Sequence, residues 1–336
     1  MHINLYIAII AYVYLKQVII MNDIAINTNE LINPLAINFS QYLREFLSEQ
    51  DIKENSKGTY RRALNQFFSF MSNNSIGLTG NDILEYKKFL DSQGLAAYTI
   101  TAYLVVVRRF FAWTESKKIY PNIAKTIKGM KSPKGFRKEC LSNGQIARVL
   151  KGINQSTLQG KRDFAVINLL LRTALRTIEI QRADIGDIAK SVDEAKFYIQ
   201  GKGRDAKDEY VVLTYTALKP ILTYLEARGQ ADKSAPLFVS ISDRNNGDRM
   251  TTRSISRLIK NALLKADIDD RRLTAHSLRH TAITNALIGG ASLQEVKTMA
   301  RHANINTTLI YSHNLERMAN PAERVIDKYM EEIYTI

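Results

Sequence analysis

The feature that most constrains this 336-residue chain is a basic, proline-marked segment set between two apolar-periodic blocks. From Lys117 to Lys138 it carries eight cations (Lys117, Lys118, Lys125, Lys128, Lys131, Lys134, Arg137 and Lys138) and no acid, with Pro121, Gly129, Pro133 and Gly135 interspersed. A run of like charge resists burial, and proline and glycine interrupt regular structure. A chain with such a segment before its middle is expected to fold as two bodies joined by a basic linker. The expected division is an N-terminal extension at 1–35, a first domain at 36–119, the linker at 120–140 and a second domain at 141–336. The linker belongs to a formal net charge of +14. An excess of that size points to a polyanionic partner, most simply nucleic acid, with solubility as the plain alternative. A basic segment can track a phosphate backbone while its flanking domains occupy opposite faces of a duplex.

The first block has helical spacing. Phe39, Tyr42, Leu43, Phe46 and Leu47 share one helix face, and Tyr60, Leu64, Phe67, Phe68 and Met71 share another. Thr79 is placed to cap a third helix that stops at Gly94, and Thr99 to open a fourth through Leu104, Val107, Phe110, Phe111 and Trp113. The second block gives a Ser142-capped helix, the apolar helix RDFAVINLLLRTAL, and a hairpin in FYIQGKGRDAKDEYVVLT. Further helices follow in ALKPILTYLEARG, SISRLIKNALLKAD, AHSLRHTAITNALIGG, SLQEVKTMARHA and the tail from Pro321. The fold class is therefore mainly α with a small antiparallel β-sheet, in two domains.

Residues 1–20 are apolar but broken by Asn4, Lys16 and Gln17, and Leu5 to Leu15 is too short to span a bilayer. A signal-peptide pattern is absent. The expectation is that translation starts at Met21, with a membrane-surface helix as the rival. Cys140 is the only cysteine, which excludes an intrachain disulfide framework and suits a reducing cytoplasm.

Four signals in the second block carry chemistry. Arg176 lies in TALRTIEI, Lys202 in the turn GKGRDAKDEY, His276, Arg279 and His280 in HSLRH, and His302 and Tyr311 in ARHANINTTLIYSH. Breaking a phosphodiester without a metal needs an oxygen nucleophile, which a phenol supplies. It needs planar cations for the charge that grows on the phosphoryl oxygens, which arginines supply. It also needs an acid for the leaving sugar oxygen, and a lysine on a hairpin can bring one. Ionising a free phenol at neutral pH costs about 4 kcal/mol, and nearby arginines lower that cost. Taken singly, each residue has a duller reading. Arg176 can cap a helix C-terminus, Lys202 can be a solvated turn residue, and Tyr311 can be core. His276 and His280 are four apart, yet HSLRH lacks the glutamate of HExxH and no third ligand is evident, so no metal is expected.

Together, in this order, these segments resemble the tyrosine recombinases, or phage integrase family, over about residues 36–325. The resemblance implies a four-helix, SAM-like core-DNA-binding domain followed by an α+β catalytic domain. It implies that Arg176 and Arg279 bind the scissile phosphate and Lys202 protonates the 5′ oxygen. His276 would assist proton transfer, His302 would hydrogen-bond the phosphate, and Tyr311 would attack to leave a 3′-phosphotyrosine. Glu179 and His280 would orient the site. The eight linker cations would contact DNA. No cofactor is implied. The implied partners are double-stranded DNA with specific recombination sites and further copies of the chain, a homo-tetramer on DNA from a monomer or weak dimer when free. Accessory DNA-bending or excision factors are compatible with this, and no membrane is involved. Integration, excision, inversion and dimer resolution all fit, in a mobile element or an Xer-like system. A catalytically silent DNA-binding accessory protein and a type IB topoisomerase are the alternatives. Two departures stand out. Arg301 occupies a position where the family commonly has glycine, and the acidic turn after Lys202 leaves the place of Lys207 open. In the tail, Val325, Ile326, Tyr329 and Ile333 form an apolar side that packs either on its own domain or, as the resemblance implies, on a neighbouring protomer.

Overall fold

A computed structural model describes residues 34–74, 78–131, 139–190, 194–201, 203–319 and 321–334. The expectations for residues 1–33 lie outside them. The chain divides into two compact units between Lys134 and Gly135.

The first unit holds four helices, α1 (Pro34–Glu49), α2 (Glu54–Asn74), α3 (Gly80–Ser92) and α4 (Ala97–Ser116). Its core is aromatic. Phe46, Phe67, Phe110 and Phe111 are fully buried. Phe46 meets Phe110 edge-on with ring centroids 5.4 Å apart, and Phe67 meets Phe111 in the same way at 6.0 Å. That geometry sets the positive ring edge against the negative face. Thr79 caps α3 as expected, with a capping box in which Asp82 Oδ2 accepts from the Thr79 N–H at 2.9 Å. The expected start of α4 at Thr99 is corrected. The helix opens at Ala97, and Ala96 is an N-cap without a side-chain bond, so Thr99 falls inside the first turn. Trp113 Nε1 donates to Glu49 Oε2 at 2.9 Å, tying α4 to the end of α1.

Part of the segment read as linker packs on this unit. Ala124 and Ile127 are buried in its core. Lys87 Nζ donates to Lys128 O at 2.9 Å, and Arg108 Nη1 donates to Ile127 O at 3.1 Å. Two buried apolar residues and two cationic donors hold the stretch on the helices, while Lys125, Lys128 and Lys131 face solvent.

The second unit contains α5 (Asn143–Lys151), α6 (Leu158–Thr173), α7 (Thr177–Arg182), strands β1 (Ile188–Lys190), β2 (Ala195–Ile199) and β3 (Glu209–Leu213), then α8 (Tyr215–Arg228), α9 (Thr252–Lys265), α10 (Ala275–Ile288), α11 (Leu293–Ala300), α12 (Asn306–Ala319) and α13 (Ala322–Tyr334). The sheet is antiparallel in the order β1-β2-β3, with Phe197 opposite Ile188 on one side and Val211 on the other. Ala195, Phe197 and Ile199 point into the core, and Lys196 and Tyr198 point outward. β1 is an addition to the expected hairpin. It is only three residues long, and its residues gain a place by pairing with β2 rather than by any pattern of their own.

Helix α6 is the central element and packs along both α8 and α10. Helix α10 buries every position from Ala275 to Ile283 except His276, and so carries Arg279 and His280 into the interior. Helix α13 buries no residue. Among the described residues no helix is long and apolar enough to cross a membrane.

Truncating Phe110 to Ala removes a fully buried ring from the aromatic core. The loss expected is about 3–5 kcal/mol of unfolding free energy, measured by urea denaturation of the intact chain. A loss no larger than that of an exposed-site substitution would contradict the packing described.

Candidate active site

Helix α6 ends at Thr173, and the chain turns through Ala174 in the left-handed region, with φ of +51°. Arg176 follows in extended conformation and heads α7 as its N-cap. It is therefore not the C-terminal cap that its place after an apolar helix allowed. Its backbone N–H donates to Glu179 Oε2 at 2.7 Å, and its Nη1 donates to Oε1 at 3.0 Å. Glu179 is buried, so this ion pair sits away from bulk water, while the Arg176 side chain is 26% exposed.

Arg301 reaches the same carboxylate from the end of α11. Its Nη2 donates to Glu179 Oε2 at 2.8 Å, and its Nη1 donates to Met299 O at 2.6 Å. Its side chain is 5% exposed, and Nε is buried without a hydrogen-bond partner among the described residues. Arg301 has φ of +53°. That conformation costs a side-chain-bearing residue about 1–2 kcal/mol, which explains why a glycine suits the position. Burial pulls its pKa down against the opposing charge of Glu179.

Arg279 is the most deeply set cation. Its two Nη groups donate to the carbonyl oxygens of Ala174 and Ala300, at the C-terminal ends of α6 and α11. Helix C-termini favour cations. Burial first, then the charges of Arg176 and Arg301, push its pKa down to about 9, with Glu179 and Tyr311 acting the other way. Three guanidinium groups thus surround one shared carboxylate, and the residual positive charge favours an incoming anion.

Tyr311 projects from α12 and is 1% exposed. Its Oη lies 2.5 Å from His280 Nδ1, and the phenol donates there when that nitrogen is unprotonated. His276 is exposed at the start of α10, its ring 4.5 Å from that of His280. The His302 ring lies nearly parallel to Tyr311 at 6.4 Å, and His302 Nδ1 is 2.9 Å from Thr308 Oγ1. Burial holds the Tyr311 phenol well above its ordinary value of 10.0, and the Arg279 charge opposes this.

Of the eight expected catalytic and supporting residues, Arg176, Glu179, His276, Arg279, His280, His302 and Tyr311 gather in this region, and Lys202 lies outside the described residues. The hairpin loop that carries it is anchored beside it. Arg182 Nη1, at the end of α7, donates to Gly201 O at 3.1 Å. Lys207 is engaged in ion pairs, with Nζ 2.6 Å from Asp184 Oδ2 and 2.5 Å from Asp187 Oδ2. Burial pulls its pKa down, but the two carboxylates outweigh that and hold it raised, so it keeps its proton. Among the expected DNA contacts, Lys117 is paired with Glu49 at 2.8 Å, Lys118 follows the C-cap of α4 with φ of +56°, and Lys125, Lys128 and Lys131 are exposed. Lys134, Arg137 and Lys138 lie outside the described residues. No group of three metal-ligating side chains gathers among the described residues.

Sequence reasoning missed the use of Arg301, which it recognised only as a departure. His280, expected to orient the site, lies directly against the phenol.

The fold is that of a tyrosine recombinase. The chain belongs to the phage integrase family, which it matches over residues 139–318, and residues 39–118 match the phage integrase N-terminal SAM-like domain. It is 28% identical to the tyrosine recombinase XerC of Herpetosiphon aurantiacus over 81% of this chain and 90% of that protein. It is 29% identical to XerD of Staphylococcus haemolyticus over 81% and 92%. The fold is similar to that of XerH bound to its palindromic difH substrate, with a TM-score of 0.68 at 20% identity over 88% of this chain and 98% of that one. It is also similar to the Tn1549 transposon integrase with circular-intermediate DNA, with a TM-score of 0.63 at 17% identity over 81% and 94%.

The raised phenol pKa predicts that Tyr311 stays protonated at pH 10.0, the ordinary value for a phenol. A difference titration of phenolate absorbance between the wild type and Tyr311→Phe, without DNA, should show no ionising group at pH 10.0. By linkage, the stability that burial of the neutral phenol contributes is present below pH 10.0 and is lost as pH rises beyond it towards the folded value. A phenol that titrates at or below 10.0 would contradict the buried setting.

Proposed function

We propose that this chain cuts and rejoins duplex DNA at specific sites through a covalent bond from Tyr311 to a phosphate. The observation that carries the reading is the buried phenol held within the electrostatic reach of Arg279, beside two further guanidinium groups, Arg176 and Arg301, that share the Glu179 carboxylate. A phosphodiester supplies the missing negative charge, and Arg176 and Arg279 grip its non-bridging oxygens as charge grows on them. The Tyr311 oxygen forms a bond to phosphorus while the bond from phosphorus to the 5′ oxygen breaks. The phenol proton passes to His280, which already faces it. Lys202 delivers a proton to the leaving 5′ oxygen, with His276 assisting, and His302 donates to the phosphoryl group. The phosphotyrosine keeps the energy of the broken bond. A 5′ hydroxyl from a second duplex then attacks it and reseals the strand, so the cycle closes without a cofactor.

The relatives support this reading over its rivals. Proteins named as recombinases are similar across both units, and the XerH and Tn1549 structures hold DNA. A silent accessory protein would have no need of a buried tyrosine against His280. The exposed cations Lys125, Lys128 and Lys131 are proposed to track the DNA backbone.

A nicked duplex, selected for binding from a random-sequence pool, traps the covalent step by losing the short leaving strand. The wild type is expected to form a protein–DNA adduct that survives denaturant and forms equally in EDTA, and Tyr311→Phe is expected to form none. Adduct in the Phe variant would falsify the assignment.

Assembly on DNA as a homo-tetramer is proposed to use α13. Val325, Ile326, Tyr329 and Ile333 are all exposed on it, which suits docking on a second copy rather than on its own domain. Ending the chain before Pro321 should leave the melting temperature nearly unchanged and abolish multimeric DNA complexes in sedimentation. A truncated chain that unfolds would instead assign the helix to its own domain.

A further inference from the structure

We propose that Arg301 is a positioning residue, which takes a share of Glu179 and thereby leaves the Arg176 guanidinium turned to the scissile phosphate. The inference rests on the recombinase reading above and concerns the division of a single carboxylate. Glu179 Oε2 accepts from the Arg176 backbone N–H at 2.7 Å and from Arg301 Nη2 at 2.8 Å. Glu179 Oε1 accepts from Arg176 Nη1 at 3.0 Å. Arg176 therefore spends one guanidinium nitrogen on the carboxylate. Carboxylate and guanidinium prefer a two-pronged fork. With Arg301 gone, the fully charged carboxylate would draw in a second nitrogen of Arg176 and withdraw it from substrate.

Arg301 itself is withdrawn from solvent. It is 5% exposed, and it is fixed from behind by Met299 O at 2.6 Å. Its backbone is left-handed, where glycine is at ease and a long side chain is not. A buried cation at such a residue joins the end of α11 to the start of α7, two segments far apart in the chain. A structural staple would do the same, so the test separates charge from bulk and rate from binding.

The experiment uses the full-length chain and the nicked duplex, with adduct formation followed at saturating DNA and DNA affinity measured in parallel. Arg301→Met keeps bulk without charge, and Arg301→Lys keeps charge. Arg301→Gly relieves the left-handed backbone and is the variant that folds if the methionine does not. Adduct formation in the Met or Gly variant should slow roughly tenfold to a hundredfold, with DNA affinity unchanged and the Lys variant restored towards wild type. Adding Glu179→Gln to Arg301→Met should recover part of the rate, because an amide no longer holds Arg176 by charge. Wild-type rates in the folded Met or Gly variant would overturn the inference, as would equal losses of rate and affinity or a Lys variant as slow as Met. Wild type and Tyr311→Phe run alongside. If the wild type itself forms no adduct, the recombinase reading falls; if it does and Arg301→Met matches it, only this inference falls.

Discussion

The Glu179 carboxylate stands against three guanidinium groups, and the catalytic unit is arranged around that imbalance. Two of the three, Arg176 and Arg301, hydrogen-bond to it, and the third, Arg279, rests on the carbonyls that end α6 and α11. Burial first, and then the neighbouring charges of Arg176 and Arg301, hold the pKa of Arg279 down to about 9. Burying like charges together is unfavourable unless an anion completes the set. A protein that needed only stability would gain by replacing such a cluster with apolar side chains. Its retention, next to a buried phenol, is intelligible as preorganisation for a phosphate whose charge rises during reaction.

The surrounding fold exists to hold those groups without letting them relax. Helix α10 brings Arg279 and His280 inside by burying nearly its whole N-terminal half. The left-handed turn at Ala174 changes the chain's direction between α6 and α7, so that Arg176 begins a helix and can share Glu179 through a capping box. Lys207 and Arg249 converge on Asp184 at 2.6 and 2.5 Å, and Lys207 also meets Asp187, which pins the base of the hairpin near α7. Rigid placement of this kind removes reorganisation that would otherwise be needed at each turnover.

Local rules were enough for much of this. Spacing of 3.6 residues revealed α1 to α4 because their aromatic faces are continuous, and Thr79 and Ser142 announced their helices through capping boxes. The order of arginines, histidines and tyrosine marks side chains that the fold brings into one region. What escaped depends on partners distant in sequence. Arg301 and Glu179 meet across 122 residues, and nothing near Arg301 signals that contact. Strand β1 has three residues and no pattern beyond its pairing with β2. Ala96 caps α4 without a side-chain bond, so Thr99 drew the boundary inward. The segment 120–130 reads as linker by composition, yet Ala124 and Ile127 supply enough apolar surface to fold it onto the first unit.

The central claim is that the guanidinium cluster serves the negative charge of one phosphate, and changing that charge on the DNA tests it most directly. A duplex with a neutral methylphosphonate at the scissile position removes the charge that Arg176 is held to meet. The account predicts that Arg176→Ala, severely slowed on ordinary phosphate relative to wild type, shows a much smaller deficit on the methylphosphonate. An equal deficit on both substrates would mean that Arg176 acts through something other than the charge on phosphorus, and the account would be wrong.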